Sequence, residues 1–262
     1  MTAYSPDHTT LGRPGGPPAR RVPFRRLVLV ETRKLFDTRS SKILTAVVPA
    51  LTAAFIVARA VADPADADLR TLMGTAGIGY TLLPVIAILT VTGEWSHRTA
   101  LATFTLEPRR LRVLAAKSMP CLGLGVVATV FAVLVAMLVA VPVTAAAGAP
   151  ATWNVTPLAL LGLAAGNTIS LAQGVALGLL LLNAPAAIVV YLLSPLVWSF
   201  VAQAGDAGEA VASWLDPGVT VASLWDGGWT GPGIARLTVS LLLWVVLPAA
   251  LGAVRVLRKE VH

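Results

Sequence analysis

Three histidines and one cysteine are the chain's whole supply of soft metal ligands, and their placement limits what they can do. His8, His97 and His262 are too far apart to form a His-x-x-x-His zinc pair. Cys121 stands alone inside an apolar run, so an intrachain disulfide is excluded, a paired thiolate metal site has no second ligand, and the residue reads as core. No Gly-Lys dipeptide occurs anywhere, so the phosphate-cradling P-loop is absent and the chain is not expected to hydrolyse ATP by itself. No Asp, Glu, His or Lys falls deep in an apolar run, which leaves an intramembrane proton relay without candidates. Sodium coordination by carbonyls with Asn167 or Ser170 stays open on these grounds. No catalytic residue and no metal site is expected.

The elements that hold these residues follow from composition. Of the 262 residues, 56% are hydrophobic and 13% charged, with a mean hydropathy of +0.78, where a soluble domain carries about 25% charged residues. The charges are concentrated in a few blocks. This distribution predicts an all-α polytopic membrane protein, and it makes the net charge of +7 a matter of topology and lipid contact rather than nucleic-acid binding. A bilayer core about 30 Å thick needs about 20 apolar residues per helix. Six stretches qualify, at 43–62, 71–93, 118–142, 157–182, 186–204 and 234–256, with Asn183-Ala184-Pro185 as the turn dividing the fourth from the fifth. They form a transmembrane domain over residues 43–259. Residues 1–23, with five prolines, read as a disordered tail. Residues 24–42 read as a basic helix on the cytoplasmic surface, with Phe24, Val28 and Leu35 on one face.

Placing both termini in the cytoplasm puts 17 of the 20 Lys and Arg inside, leaving Arg59, Arg70 and Arg236 outside beside seven acids. The positive-inside tendency therefore fixes the expected orientation, in a plasma (inner) membrane. Three features remain for function. The cytoplasmic loop 93–117 is longer than a connection requires, pairs Glu94 with Arg98 at i,i+4, and carries Arg109, Arg110 and Arg112, which points to docking of a soluble partner or to anchoring on anionic headgroups. The external segment 203–233 has no Lys or Arg and holds Trp214, Trp225 and Trp229, as interfacial anchors or a gate, with 207–224 expected as two short helices in the outer headgroup region, broken at Pro217-Gly218. In the fourth span Gly162, Gly166, Ser170, Gly174 and Gly178 recur every four residues, a stripe that admits close approach of another helix.

Glu94, Arg98-Thr99, Pro108-Arg109-Arg110 and Lys117 together resemble the loop of ABC-2 type transporter permeases, which reads as an acid, a Gly-Thr or similar pair, a Pro-x-Arg and a Lys opening the third span. Arg98 stands where that family often has Gly. Glu31-x-x-Lys34, followed by Arg39 and Lys42, is similar to the family's segment ahead of the first span. The resemblance covers residues 24–259. It implies a permease that dimerises with an identical or related copy and docks a separate ATPase through a cytoplasmic coupling loop, with Glu31, Lys34, Glu94, Arg98, Arg109 and Arg110 on the docking surface. ATP and magnesium would belong to that partner, and no cofactor to this chain. The substrates that the family implies are lipid-linked polymers, drugs and peptide antibiotics. A self-contained carrier, or an immunity or anchoring protein without an ATPase, is the alternative reading of the same spans.

Overall fold

The computed structural model describes residues 22–37, 39–96, 109–148 and 150–258, the side chains of residues 78 and 94–96 excepted. Among them every element is helical: α1 Phe24–Asp37, α2 Arg39–Ala62, α3 Leu69–Tyr80, α4 Leu83–Ser96, α5 Arg110–Ala146, α6 Pro157–Leu181, α7 Ala184–Ala202, α8 Asp206–Leu215 and α9 Pro217–Trp225. The last helix, α10, runs over Gly231–Arg258 and contains a π turn at Leu242–Val246. Helices α2, α5, α6, α7 and α10 are long and apolar enough to cross a membrane. The chain is an all-α, multi-pass membrane protein.

Its packing is that of a membrane bundle, with small side chains inside and large ones outside. Along α5, Ala132, Ala136 and Ala140 are buried while Leu134 and Leu138 are exposed, Leu138 by 77%. On α7 only Ala187 is buried, and Val189, Leu193, Leu196 and Phe200 point out. Threonines enter the interior by returning their hydroxyls to the carbonyl four residues back: Thr52 donates to Val48, Thr92 to Ile88 and Thr144 to Ala140. No polar group of theirs is then left for lipid to solvate.

The run expected as one span at 71–93 is two helices, α3 and α4, separated at Thr81–Leu82. Pro84 explains the break, since it lacks an N–H and its ring would clash with the carbonyl of Tyr80 four residues earlier. Neither half is 18 residues long. The pair nevertheless runs the length of the bundle. At one end Arg70, near the start of α3, bonds Asp226; farther along, Tyr80 donates to the carbonyl of Ala128 midway down α5; and beyond that Ile88 and Val91 of α4 pack on Gly178 near the close of α6.

Two ends of the bundle can thus be told apart. One gathers α1, the start of α5, the α6–α7 turn and the close of α10. The turn there is made by Leu182 in the left-handed region, φ 49°, and by Asn183, whose side chain accepts the N–H of Ala186 at 3.0 Å and caps α7. At the far end Asp68 caps α3, accepting both the N–H and the hydroxyl of Thr71. Burial pushes the Asp68 carboxyl up, but these bonds, with others from Asn154 and the N–H of Arg70, outweigh it and hold the group below the usual carboxylate range.

Helices α8 and α9 form a hairpin that dips into the bundle from the far end instead of lying across it. A Cβ at Gly162 would stand 2.3 Å from the carbonyl oxygen of Leu224, and one at Gly166 2.9 Å from Cγ1 of Val221, so α9 climbs along α6 in the opposite sense. Its start at Pro217 is therefore deeper than its close. The Nε1 of Trp244 donates to the carbonyl of Leu215 at 2.8 Å, and Trp244 lies 13 residues into α10, about 20 Å below its first residue. The turn between α8 and α9 is held at that depth.

Candidate functional site

At the α1 end the central group is Glu31. It lies on the inward face of α1 with Leu35, one turn on, and both are buried. Its Oε2 accepts from Nζ of Lys117 on α5 at 2.7 Å, and its Oε1 from Nζ of Lys34 at 2.8 Å. The side chains of Lys117 and Glu31 are 5% and 6% exposed, that of Lys34 44%. A lysine taken out of water is tolerated only when paired, so Lys117 ties α1 to α5 at one point. Phe24, Val28 and Leu35, the residues expected on one face, share the inward side with Glu31 and are all at least half-buried, while Leu29, Val30 and Phe36 are exposed.

Two arginines complete the junction. Arg112 donates to the carbonyl of Val22 at 2.7 Å and lies over the ring of Phe24, 6.0 Å from its centroid, closing the start of α1 onto α5. Arg110 donates to the carbonyl of Val256 at 2.7 Å. The last carbonyls of a helix lack partners within it and carry the negative end of its dipole, so a guanidinium there satisfies both demands. Arg255 does the same for α6, donating to the carbonyl of Leu180 at 2.6 Å. The helices α1, α5, α6 and α10 are thereby joined by charged side chains acting on backbone or on Glu31.

Of the residues singled out for docking, Glu31, Lys34 and Arg110 belong to this junction. Arg109 is exposed directly before α5. Arg98 and the loop residues 97–108 lie outside the described residues, as do the side chain of Glu94 and the tail residues 1–21. Lys117, Arg112 and Arg255 are the participants that sequence reasoning passed over as partners. The signal available was a lone lysine at the head of an uncharged run, with Glu31 in the apolar register of Phe24, Val28 and Leu35.

The small-residue stripe of α6 serves two neighbours in succession. Gly162 and Gly166 lie against α9, as described. Gly174 meets Pro84 of α4, where a Cβ would be 2.5 Å from the carbonyl oxygen, and Gly178 faces Val91 and Ile88 at 3.4 and 3.5 Å. Asn167, on the same helix, donates to the hydroxyl of Thr129 on α5 at 3.0 Å.

Trp214, Trp225 and Trp229, all at the far end, each have a polar partner. Trp225 lies under the guanidinium of Arg70, 5.0 Å from the ring centroid, while Arg70 also bonds the Trp225 carbonyl and the Asp226 carboxylate, both at 3.1 Å. Trp229 donates to the carbonyl of Leu224 at 3.0 Å. Trp214 lies under Arg236, 5.8 Å from its ring. Arg70 and Asp226, 156 residues apart, thus fasten the hairpin to the start of α3.

No protein-family model matches the chain, and the comparison with curated proteins finds no match.

Proposed function

We propose that the chain is the transmembrane permease subunit of an ABC-2 type transporter, moving a substrate with ATP hydrolysed on a separate subunit that also holds the magnesium. The observation that carries this reading is the buried Lys117–Glu31 pair. Work done by a soluble subunit has to enter through a stiff cytoplasmic element fixed to the spans. Helix α5 has 37 residues, about 55 Å at 1.5 Å per residue, against about 30 Å of bilayer core. Its N-terminal turns therefore project, and α1 is clamped to them through Glu31, Arg112 and Leu35.

On this reading α3 and α4 together make one crossing, because they connect the two ends of the bundle, and six crossings leave both termini in the cytoplasm of a plasma membrane. Helix α1 lies along the inner surface, with Leu29, Val30 and Phe36 toward the lipid. The protein works as a dimer with an identical or related copy. The exposed Arg109 and the loop from Glu94 onward are offered to the ATPase. Charge reversal there replaces attraction with repulsion, which costs several kcal/mol at an interface. Arg109→Glu and Glu94→Arg should leave expression and insertion unchanged while abolishing copurification of the ATPase or stimulation of its turnover. Full coupling in both variants would mean that the loop is a lipid anchor and that the docking assignment is wrong.

A further inference from the structure

Between α2 and α5 runs a groove of about 220 Å³, backed by α3 and α4. Thr45 and Pro49 of α2 form one wall, Leu124, Val127 and Phe131 of α5 the other, and Leu83 lies behind them. The Tyr80 hydroxyl is bonded to the carbonyl of Ala128, and the Thr45 hydroxyl has almost no accessible surface, so the groove offers hydrocarbon. Val127 is 62% exposed, which opens the groove sideways to the bilayer. A space lined in this way stays dry and takes an apolar occupant.

One end of the groove is crossed by α1 and is strongly basic. Glu31 of α1 bonds Lys117, about two turns before Leu124 on α5, and α2 begins at Arg39, directly after α1 closes at Asp37 and one linking residue. Helix α1 thus passes from one wall to the other. Lys42 shares a side of α2 with Thr45 and Pro49, three and seven residues on, and so stands about 5 to 10 Å before them along the axis. Arg39, one turn earlier, and Lys42 are both exposed. Among the described residues neither has a hydrogen bond or an ion pair. Helix α2 contains no acid. On α1 the exposed Arg25, Arg26 and Arg33 face a single exposed acid, Asp37. Such a concentration of cations at the edge of a bilayer attracts anionic headgroups, and each cation adds to the hold.

We propose that the groove seats one chain of an anionic phospholipid from the leaflet on the α1 side, with its phosphate at Arg39 and Lys42. The two parts of the site call for the two parts of that molecule. Unpaired cations call for a phosphate, and hydrocarbon walls one to two turns deeper call for a chain. A zwitterionic phospholipid offers the same chain but brings a cation of its own beside the phosphate, which these residues repel. The inference goes beyond the permease reading, since it needs only that the chain spans a membrane, and its failure would leave ATPase docking untouched.

The test titrates the full chain in detergent micelles with dioleoyl phosphatidylglycerol and, separately, with dioleoyl phosphatidylcholine, counting bound lipid by native mass spectrometry. Saturable binding of phosphatidylglycerol is expected, with phosphatidylcholine weaker by about tenfold or more. The double variant Arg39→Gln with Lys42→Gln changes only exposed side chains. It should bring phosphatidylglycerol down to the phosphatidylcholine level and leave the melting temperature unchanged. Glycerol phosphate, the head without its chains, should not bind at concentrations that saturate with the lipid, which tests the groove without any substitution. Thr45→Phe fills the groove and should weaken both lipids. Equal affinity for the two lipids, a double variant that holds phosphatidylglycerol as the parent does, or glycerol phosphate binding as tightly as the lipid would overturn the proposal. A folded Thr45→Phe variant with parental affinity for both lipids would overturn it as well.

Discussion

Glu31 holds two lysines, but only one of them is buried, and the energetic consequences differ. Lys117→Met would leave a buried carboxylate with Lys34 alone, and breaking one side of a buried pair costs about 3–5 kcal/mol; the Lys34 bond that survives on Oε1 places the expected loss near the lower figure. Replacing both partners, as Glu31→Leu with Lys117→Met, should restore most of that loss, because an apolar pair of similar volume is often neutral against a buried ion pair. Thermal melting of the purified protein checks this, and a double variant no better than the single one would refute it. The register of Glu31 within α1 can be read from the sequence. Its partner cannot, since 86 residues separate them and no local rule links such positions.

Among the elements, α6 shows how one repeating pattern meets unequal neighbours. Gly174→Ala would drive a Cβ to 2.5 Å from the backbone oxygen of Pro84, which cannot swing aside as a side chain can. Overpacking of this kind costs about 1–3 kcal/mol. Gly178→Ala meets nothing nearer than 3.4 Å, and alanine exceeds glycine in helix propensity by about 1 kcal/mol. The two substitutions should therefore move the melting temperature in opposite directions, and equal losses would show that the stripe packs uniformly. The spacing of these residues is plain in the sequence, but which element each would meet is not. The long spans were legible because 20 uncharged residues leave few alternatives. The division of 71–93 was not, because Pro84 lowers the hydropathy of its window hardly at all while it breaks the backbone. The dip of α8 and α9 was hidden for a related reason: two helices of 10 and 9 residues are too short to announce their depth, although Asp216-Pro217 does read as a cap followed by a first helical residue.

For the molecule as a whole, the junction at the α1 end and the hairpin at the far end must face opposite sides of the membrane if the permease reading holds. In a Cys121→Ala background, a cysteine at Ala207 should react with an impermeant maleimide added outside, and cysteines at Asp37 and His262 should not. Labelling of His262 from outside would exclude the six-crossing arrangement. The charge asymmetry that leads to this orientation is visible in the sequence at once, since it needs only counting. The fastenings that convert it into a built object, Arg110 on the last carbonyls of α10 and Arg70 across to Asp226, needed the chain to be folded.

The π turn at Leu242–Val246 has a further consequence for α10. Winding of this kind accommodates one residue more than an α-helix would in the same length, and one residue corresponds to about 100° of rotation. The parts of α10 before and after the turn are thus out of phase. Trp244 sits inside the turn and reaches Leu215, while Gly252, a short way beyond it, presses on the backbone of Leu179. The surplus residue is what lets one rod show the correct side to two partners that a uniform helix would present at the wrong angle, as a vernier reconciles two scales.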